Sequence, residues 1–180
     1  MINPADCLLM VVDIQGKLAQ VMQQSSMLHH RVATLIEGAK LFDMPIIWLE
    51  QLPDKLGSTS EELAQLLSPV CQPIAKQHFS SWQSVQVQTT LAQQGRKQVI
   101  LCGIETHVCV YQTCKDLLEN DFDVHIVADA MSSRQLDNKV LGIQMMLNLG
   151  AQLTNVESLL FELQHQAQGD RFKALLKLIK

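Results

Sequence analysis

The sequence has no run of five or more basic residues and no apolar stretch longer than a strand. It also has no C-x-x-C pair, no H-E-x-x-H and no glycine-rich phosphate loop. Each absence removes a class of function. Lys and Arg number 14 against 18 Asp and Glu, for a formal net charge of -4, so nucleic acid is not the expected partner. Strand-length apolar runs predict no membrane span. No charged segment followed by a long apolar one opens the chain, so no secretory signal is expected. The five cysteines, Cys7, Cys71, Cys102, Cys109 and Cys114, are odd in number and fit free thiols in a reducing cytoplasm. The segment Gly95 to Gly103 is not a dinucleotide fingerprint, and His29 and His30 would point about 100° apart on a helix, so neither cofactor nor metal is expected. No internal repeat, linker or low-complexity segment divides the chain, so residues 1–180 are expected to form one domain.

What is present is an alternation of apolar runs and helical patterns. Cys7–Asp13 reads as a first strand ending on a carboxylate. Leu28, Val32, Leu35, Ile36, Ala39 and Phe42 mark one face of a helix. Pro45–Glu50 reads as a second strand, Gln51–Ser60 as a loop, and 61–67 as a short helix. Pro73–Lys76 is a short third strand, and a helix through Val87, Leu91 and Ala92 ends at Gly95. A strand at Gln98–Cys102 leads into a helix from Thr106 to Glu119. Val124–Asp129 is a fifth strand, Met131–Arg134 a loop, Asp137–Leu149 a helix stopped by Gly150, and Ala151–Leu153 a sixth strand. Thr154 and Glu157 have capping-box spacing at the start of another helix. Phe172, Leu175, Leu176 and Ile179 stripe a last helix that either docks or forms a subunit contact. Strands that are apolar throughout imply burial on both faces. The expected fold is therefore α/β, a three-layer α/β/α Rossmann-like arrangement with a mostly parallel six-stranded sheet.

In such sheets ligands bind at the carboxyl ends of the strands, where strand order reverses, here between the first and fourth strands. Asp13 ends the first strand, and Cys109 lies in the first helical turn after the fourth. Unpaired N–H groups at such a turn can stabilise a thiolate below its free pKa of about 8.5. A carboxylate beside that thiol is a nucleophile with a candidate base. Competing explanations remain for each residue. Cys109 reads equally as a small buried hydrophobe, Asp13 as a turn cap, and Lys76 as a solvated lysine. Asp129 reads as an organiser of the Ser132–Arg134 loop. His78 and His107 read as pocket liners or as polar residues of a loop and a helix start.

Gly103-Ile104-Glu105-Thr106-His107-Val108-Cys109-Val110 followed by Thr113 resembles the nucleophile motif of the isochorismatase-like cysteine hydrolases, which include nicotinamidases. Val11-Val12-Asp13-Ile14-Gln15 is similar to that family's first motif, and Ala75-Lys76-Gln77-His78-Phe79-Ser80 to its lysine motif. Ala128-Asp129-Ala130 with Ser132-Ser133-Arg134 matches a later segment. The resemblance implies a triad of Asp13, Lys76 and Cys109 and a cis peptide at Ile104–Glu105. The oxyanion donors then become the backbone N–H groups of Glu105 and Cys109.

The implied activity is hydrolysis of a small-molecule amide or related carbonyl through a thioester. The alternatives are vinyl-ether hydrolysis of the isochorismatase type and a non-catalytic scaffold or thiol redox sensor. Nicotinamidases carry a metal site of Asp and His after the second strand. The segment Glu50–Gly57 has no histidine there, so that activity is disfavoured and no metal is expected. The Glu-Gln-x-Pro-x-x-Leu-Gly loop is closer to the compact isochorismatase-domain proteins. Gln15, Gln51, Phe79, Trp82, His107 and Tyr111 are candidate substrate contacts by their nearness to the triad in this topology. The family's habit of assembly implies a homo-oligomer.

Overall fold

The computed structural model describes residues 2–180. β1 (Cys7–Val12) is followed by α1 (Gly16–Gln20) and α2 (Ser25–Leu41), and β2 (Ile46–Gln51) by α3 (Pro53–Leu56) and α4 (Glu61–Leu67). β3 (Pro73–Lys76) leads to α5 (Val85–Gln94), β4 (Gln98–Ile104) to α6 (Tyr111–Glu119), and β5 (Asp123–Ser132) to α7 (Leu136–Asn148). β6 (Gln152–Thr154), α8 (Val156–Gln164) and α9 (Gly169–Leu178) complete the chain. The strands form one sheet in the order β3-β2-β1-β4-β5-β6. Every strand pair is parallel, and the order reverses between β1 and β4.

Two apolar layers explain why the central strands are apolar at every position. On β1, Cys7, Leu9 and Val11 face α2, α8 and α9, while Leu8, Met10 and Val12 face α5, α6 and α7. On β4, Ile100 and Cys102 join the first layer and Val99 and Leu101 the second. Side chains alternate across a strand, so burial of both faces leaves no position for a polar residue.

Several boundaries differ from the sequence expectation. The Gln51–Ser60 loop contains α3, because Pro53 sits at its first helical position rather than breaking a helix. The fifth strand does not stop at Asp129. Its register against β4 shifts between Leu101 and Gly103, and pairing resumes with Met131 and Ser132. Asn155, not Thr154, caps α8, its side chain accepting from the Ser158 N–H at 2.9 Å. Asp129 does not organise the 132–134 loop; it accepts from the Val156 N–H at 2.9 Å and pairs with Arg31 at 3.5 Å. The apolar stripe of α9 docks on the chain itself, with Leu176 and Ile179 half-buried. Leu175 is fully buried, and the Phe172 ring lies 6.4 Å from that of Phe161.

One glycine governs the switch point. Gly103 has φ +126°, and a Cβ there would collide with the backbone of Val12. The carboxyl ends of β1 and β4 meet closely only because residue 103 has no side chain. Gly103→Ala combines overpacking with backbone strain and is expected to destabilise the fold by about 3–5 kcal/mol, read as a lower urea midpoint at unchanged slope.

Candidate active site

Three strand ends deliver three side chains to one crevice. Asp13 follows β1, Lys76 ends β3, and Cys109 lies in the turn after β4; all three are buried. Asp13 adopts the left-handed conformation, with φ 56°, which turns its carboxylate away from the strand direction and into the crevice. Lys76 Nζ donates to Asp13 Oδ2 at 2.7 Å, Gln51 Oε1 at 2.6 Å, the Phe79 carbonyl at 3.1 Å and the His78 carbonyl at 3.2 Å. An ammonium has three protons. Four acceptors therefore take up its whole donor capacity, and its side chain has no exposed surface.

The Cys109 turn is wider than the expected first turn of an α-helix. Residues 106–110 form one turn of π geometry, in which the Val110 N–H reaches back five residues to the Glu105 carbonyl at 3.3 Å. The Ile104–Glu105 peptide before it is cis. α7 packs against this turn at Gly142, where a Cβ would lie 2.8 Å from the His107 nitrogen and 2.9 Å from its Cα.

The electrostatics reverse one expectation. Burial first, then the charge of Asp13, pushes the Cys109 thiol up to about 12, so helix-end stabilisation does not lower it. Burial also raises Asp13 above the ordinary carboxylate value of 3.8, with Lys76 opposing. Asp13 Oδ1 has no hydrogen bond at standard geometry. The Cys109 thiol and the Asp13 carboxylate nonetheless lie close enough to shift one another's protonation. The arrangement is a neutral thiol beside a carboxylate that an ammonium anchors through Oδ2.

A cavity of about 100 Å³ opens beside Cys109 and Asp13. Of the expected contacts, Gln15, Gln51 and Phe79 line it. The Gln15 amide works as part of the scaffold: its Oε1 accepts from the Gln51 N–H at 2.7 Å, and its Nε2 donates to the carbonyls of Gln51 and Gly57. Trp82, His107 and Tyr111 do not line it. The Trp82 ring packs edge-on against Phe122 at 5.7 Å, His107 Nδ1 pairs with Ser133 Oγ at 3.0 Å, and Tyr111 packs into the α6 side of the core. Nearness to the triad in the topology does not determine which way each turn or helix aims these side chains.

Leu18, Leu56, Ile104 and Val108 line the cavity and were not expected. The signal for Leu56 was the helix-starting Pro53. Glu105, expected only through its backbone, also brings its side chain to the wall, where Oε1 accepts from Arg134 N and Nε, both at 3.1 Å. Among the described residues no group of three His, Cys, Asp or Glu is placed to hold a metal ion.

The family profile described as the isochorismatase domain matches residues 7–158. The secreted isochorismatase effector Isc1 of Phytophthora sojae is 38% identical over 180 residues, covering 98% of this chain and 86% of that protein. Among solved structures, the MAR1 ribonuclease of Caenorhabditis elegans superposes with a TM-score of 0.93 at 35% identity, covering 99% of this chain and 91% of that one. YcaC from Pseudomonas aeruginosa, with hexane-2,5-diol and covalent acrylamide, superposes with a TM-score of 0.92 at 26% identity, covering 98% and 90%. YcaC from Escherichia coli, an octameric hydrolase of unknown specificity, shares the fold with a TM-score of 0.92 at 24% identity, covering 98% and 89%. With its parallel sheet, its switch-point crevice and this breadth of similarity, the chain belongs to the isochorismatase-like hydrolase family.

Proposed function

We propose that this chain hydrolyses an amide or related carbonyl of a small molecule, with Cys109 as nucleophile, Asp13 as its base and Lys76 as the cation that holds Asp13 in place. The observation that carries this reading is the buried bond from Lys76 Nζ to Asp13 Oδ2, which fixes the carboxylate in the same cavity wall as the Cys109 thiol. Asp13 takes the thiol proton as sulfur bonds to the carbonyl carbon. The Glu105 and Cys109 N–H groups receive the oxyanion. The proton passes to the leaving amine, and a thioester remains. Asp13 then takes a proton from water, whose oxygen attacks the thioester, and the acid leaves as the thiol is restored. Because the resting thiol is raised to about 12, nucleophile formation belongs to the reacting step and depends on Asp13.

A redox sensor needs an accessible thiolate of low pKa, which this raised thiol does not supply. Ribonuclease activity, carried in the name of the C. elegans relative, is disfavoured by the acidic balance of 18 Asp and Glu against 14 Lys and Arg and by the small cavity. The covalent acrylamide in P. aeruginosa YcaC supports the capture of small amide-bearing compounds. Five free thiols support a reducing, cytoplasmic location, although the Isc1 relative is secreted. No helix among the described residues is long and apolar enough to cross a membrane.

A homo-oligomer is also part of this reading. Leu136, Val140 and Leu147 stripe the solvent face of α7 at helical spacing, and Leu153 on edge strand β6 is exposed as well. The octameric E. coli YcaC supports a second copy of the chain as the occupant of this face.

Across a panel of amides and carbamates, Cys109→Ala is expected to abolish turnover with the fold retained by circular dichroism, and Asp13→Asn to lower kcat/KM by about 10²–10⁴. Wild-type turnover in Cys109→Ala overturns the assignment. With Asp13 raised, kcat/KM is expected to fall on the acid side with a midpoint above 3.8, and not to rise again near the free-thiol value of about 8.5. By light scattering, Val140→Lys is expected to give a lower mass than wild type with unchanged circular dichroism.

A further inference from the structure

The surroundings of Cys109 are unbalanced in charge. Asp13 and Glu105 both act on the thiol as negative charges, and Lys76 is the opposing cation. Lys76 has nothing left for a ligand, since all its donors are committed within the chain. Among the described residues, no Lys, Arg or His side chain lines the cavity. Gln15 Nε2 has given both its hydrogens to carbonyls. The rest of the wall is largely apolar, with Leu18, Leu56, Val108 and Phe79.

Glu105 is the distinctive member. Its side chain is 10% exposed, and its Oε1 takes both bonds from Arg134, whose own side chain is 60% exposed. Oε2 accepts no hydrogen bond from the described residues. The neutralising cation therefore belongs to a largely exposed side chain that does not line the cavity, whereas Glu105 does. A carboxylate ligand here would meet two carboxylates and no free cation. A neutral or cationic group would meet no such repulsion. In a low-dielectric crevice that difference is large.

We propose that Glu105 makes this site selective for neutral or cationic acyl compounds and that it turns carboxylates away. This inference rests on the hydrolase reading above and names its substrate class. A carboxylate-bearing enol ether is disfavoured by the same charges. The cavity of about 100 Å³ limits the reacting portion to a small group.

Two alkylating agents of nearly equal shape and different charge provide the test. The intact protein is treated in parallel with iodoacetamide and iodoacetate, and labelling at Cys109 is followed by peptide mass spectrometry. With either reagent a carbon–sulfur bond forms, iodide leaves, and the thiol proton passes to Asp13 and then to solvent. The iodoacetamide-to-iodoacetate rate ratio at Cys109 is expected to exceed that of N-acetylcysteine in the same buffer by about tenfold or more. Glu105→Gln is expected to lower the ratio by about threefold or more. Arg134→Gln, at the exposed partner, is expected to raise it by about twofold. A wild-type ratio equal to that of N-acetylcysteine, with Cys109 labelled faster than half-buried Cys71, overturns this inference and leaves the nucleophile standing. A ratio unmoved by Arg134→Gln also overturns it, whether or not the Glu105 variant folds. Labelling of Cys109 no faster than Cys71 by either reagent defeats the hydrolase reading, and this inference with it.

Discussion

One buried ion pair organises the crevice. Lys76 Nζ and Asp13 Oδ2 are 2.7 Å apart with neither side chain open to solvent beyond a trace. Taking two charges out of water costs several kcal/mol each unless they are paired and their remaining groups are satisfied. The fold meets that cost by bending other parts of the chain toward the ammonium. Gln51 at the end of β2 turns its amide oxygen inward, and the chain after β3 presents the carbonyls of His78 and Phe79. Gln51 in turn donates to the Gln77 carbonyl at 2.9 Å, and its backbone N–H is held by Gln15. The loops over the site are therefore shaped by one ammonium and its acceptors. Removing either charge would leave the other buried and uncompensated, at a cost of about 3–5 kcal/mol.

The second layer of support is structural and leaves few groups idle. Glu50 is buried but spends Oε1 on Thr59 N and Oγ1, and Thr59 Oγ1 also receives Trp48 Nε1 at 2.6 Å. These bonds draw the segment after α3 over Gln15, where a lone antiparallel bridge joins Gln15 and Thr59. Across the crevice, the Ser81 N–H donates to Thr113 Oγ1 at 2.9 Å and Ser80 Oγ to Asp116 at 2.7 Å, tying the segment after β3 to α6. A cavity walled this way is held by hydrogen bonds on two sides and by apolar packing at its floor.

The fold was largely legible in the sequence because its signal is repeated. β1 and β4 are apolar at every position, and that pattern has one common explanation, a strand buried on both faces. Asp13 and Cys109 followed from strand ends at a switch point. Lys76 did not follow from pattern. β3 alternates exposed and buried over four residues, and a lysine closing such a segment reads as solvated. Its burial depends on Gln51 and on two carbonyls in the following loop, which no local pattern encodes. The same holds for Leu18 and Glu105, whose positions in the wall depend on how α1 and the turn after β4 are aimed. Trp82 and Tyr111 illustrate the converse: large side chains that the topology brings near the triad are taken by the core around Phe122 and α6. The raised thiol was hidden for a related reason, since burial depth is a property of the whole sheet and not of the turn that carries Cys109.

Gly142 carries a consequence of a different kind. It contributes nothing to the cavity wall, yet α7 approaches the backbone of Thr106 and His107 through the space its missing side chain leaves. The position of the turn that carries Cys109 is thereby set from α7, which packs on its backbone. Residue 142 and the Cys109 sulfur are coupled through the backbone of residues 106 and 107. A substitution there would act as a wedge, tilting the turn that carries Cys109 while every side chain in the crevice keeps its identity. Activity in this fold is thus exposed to changes at a position that an inventory of the cavity would pass over.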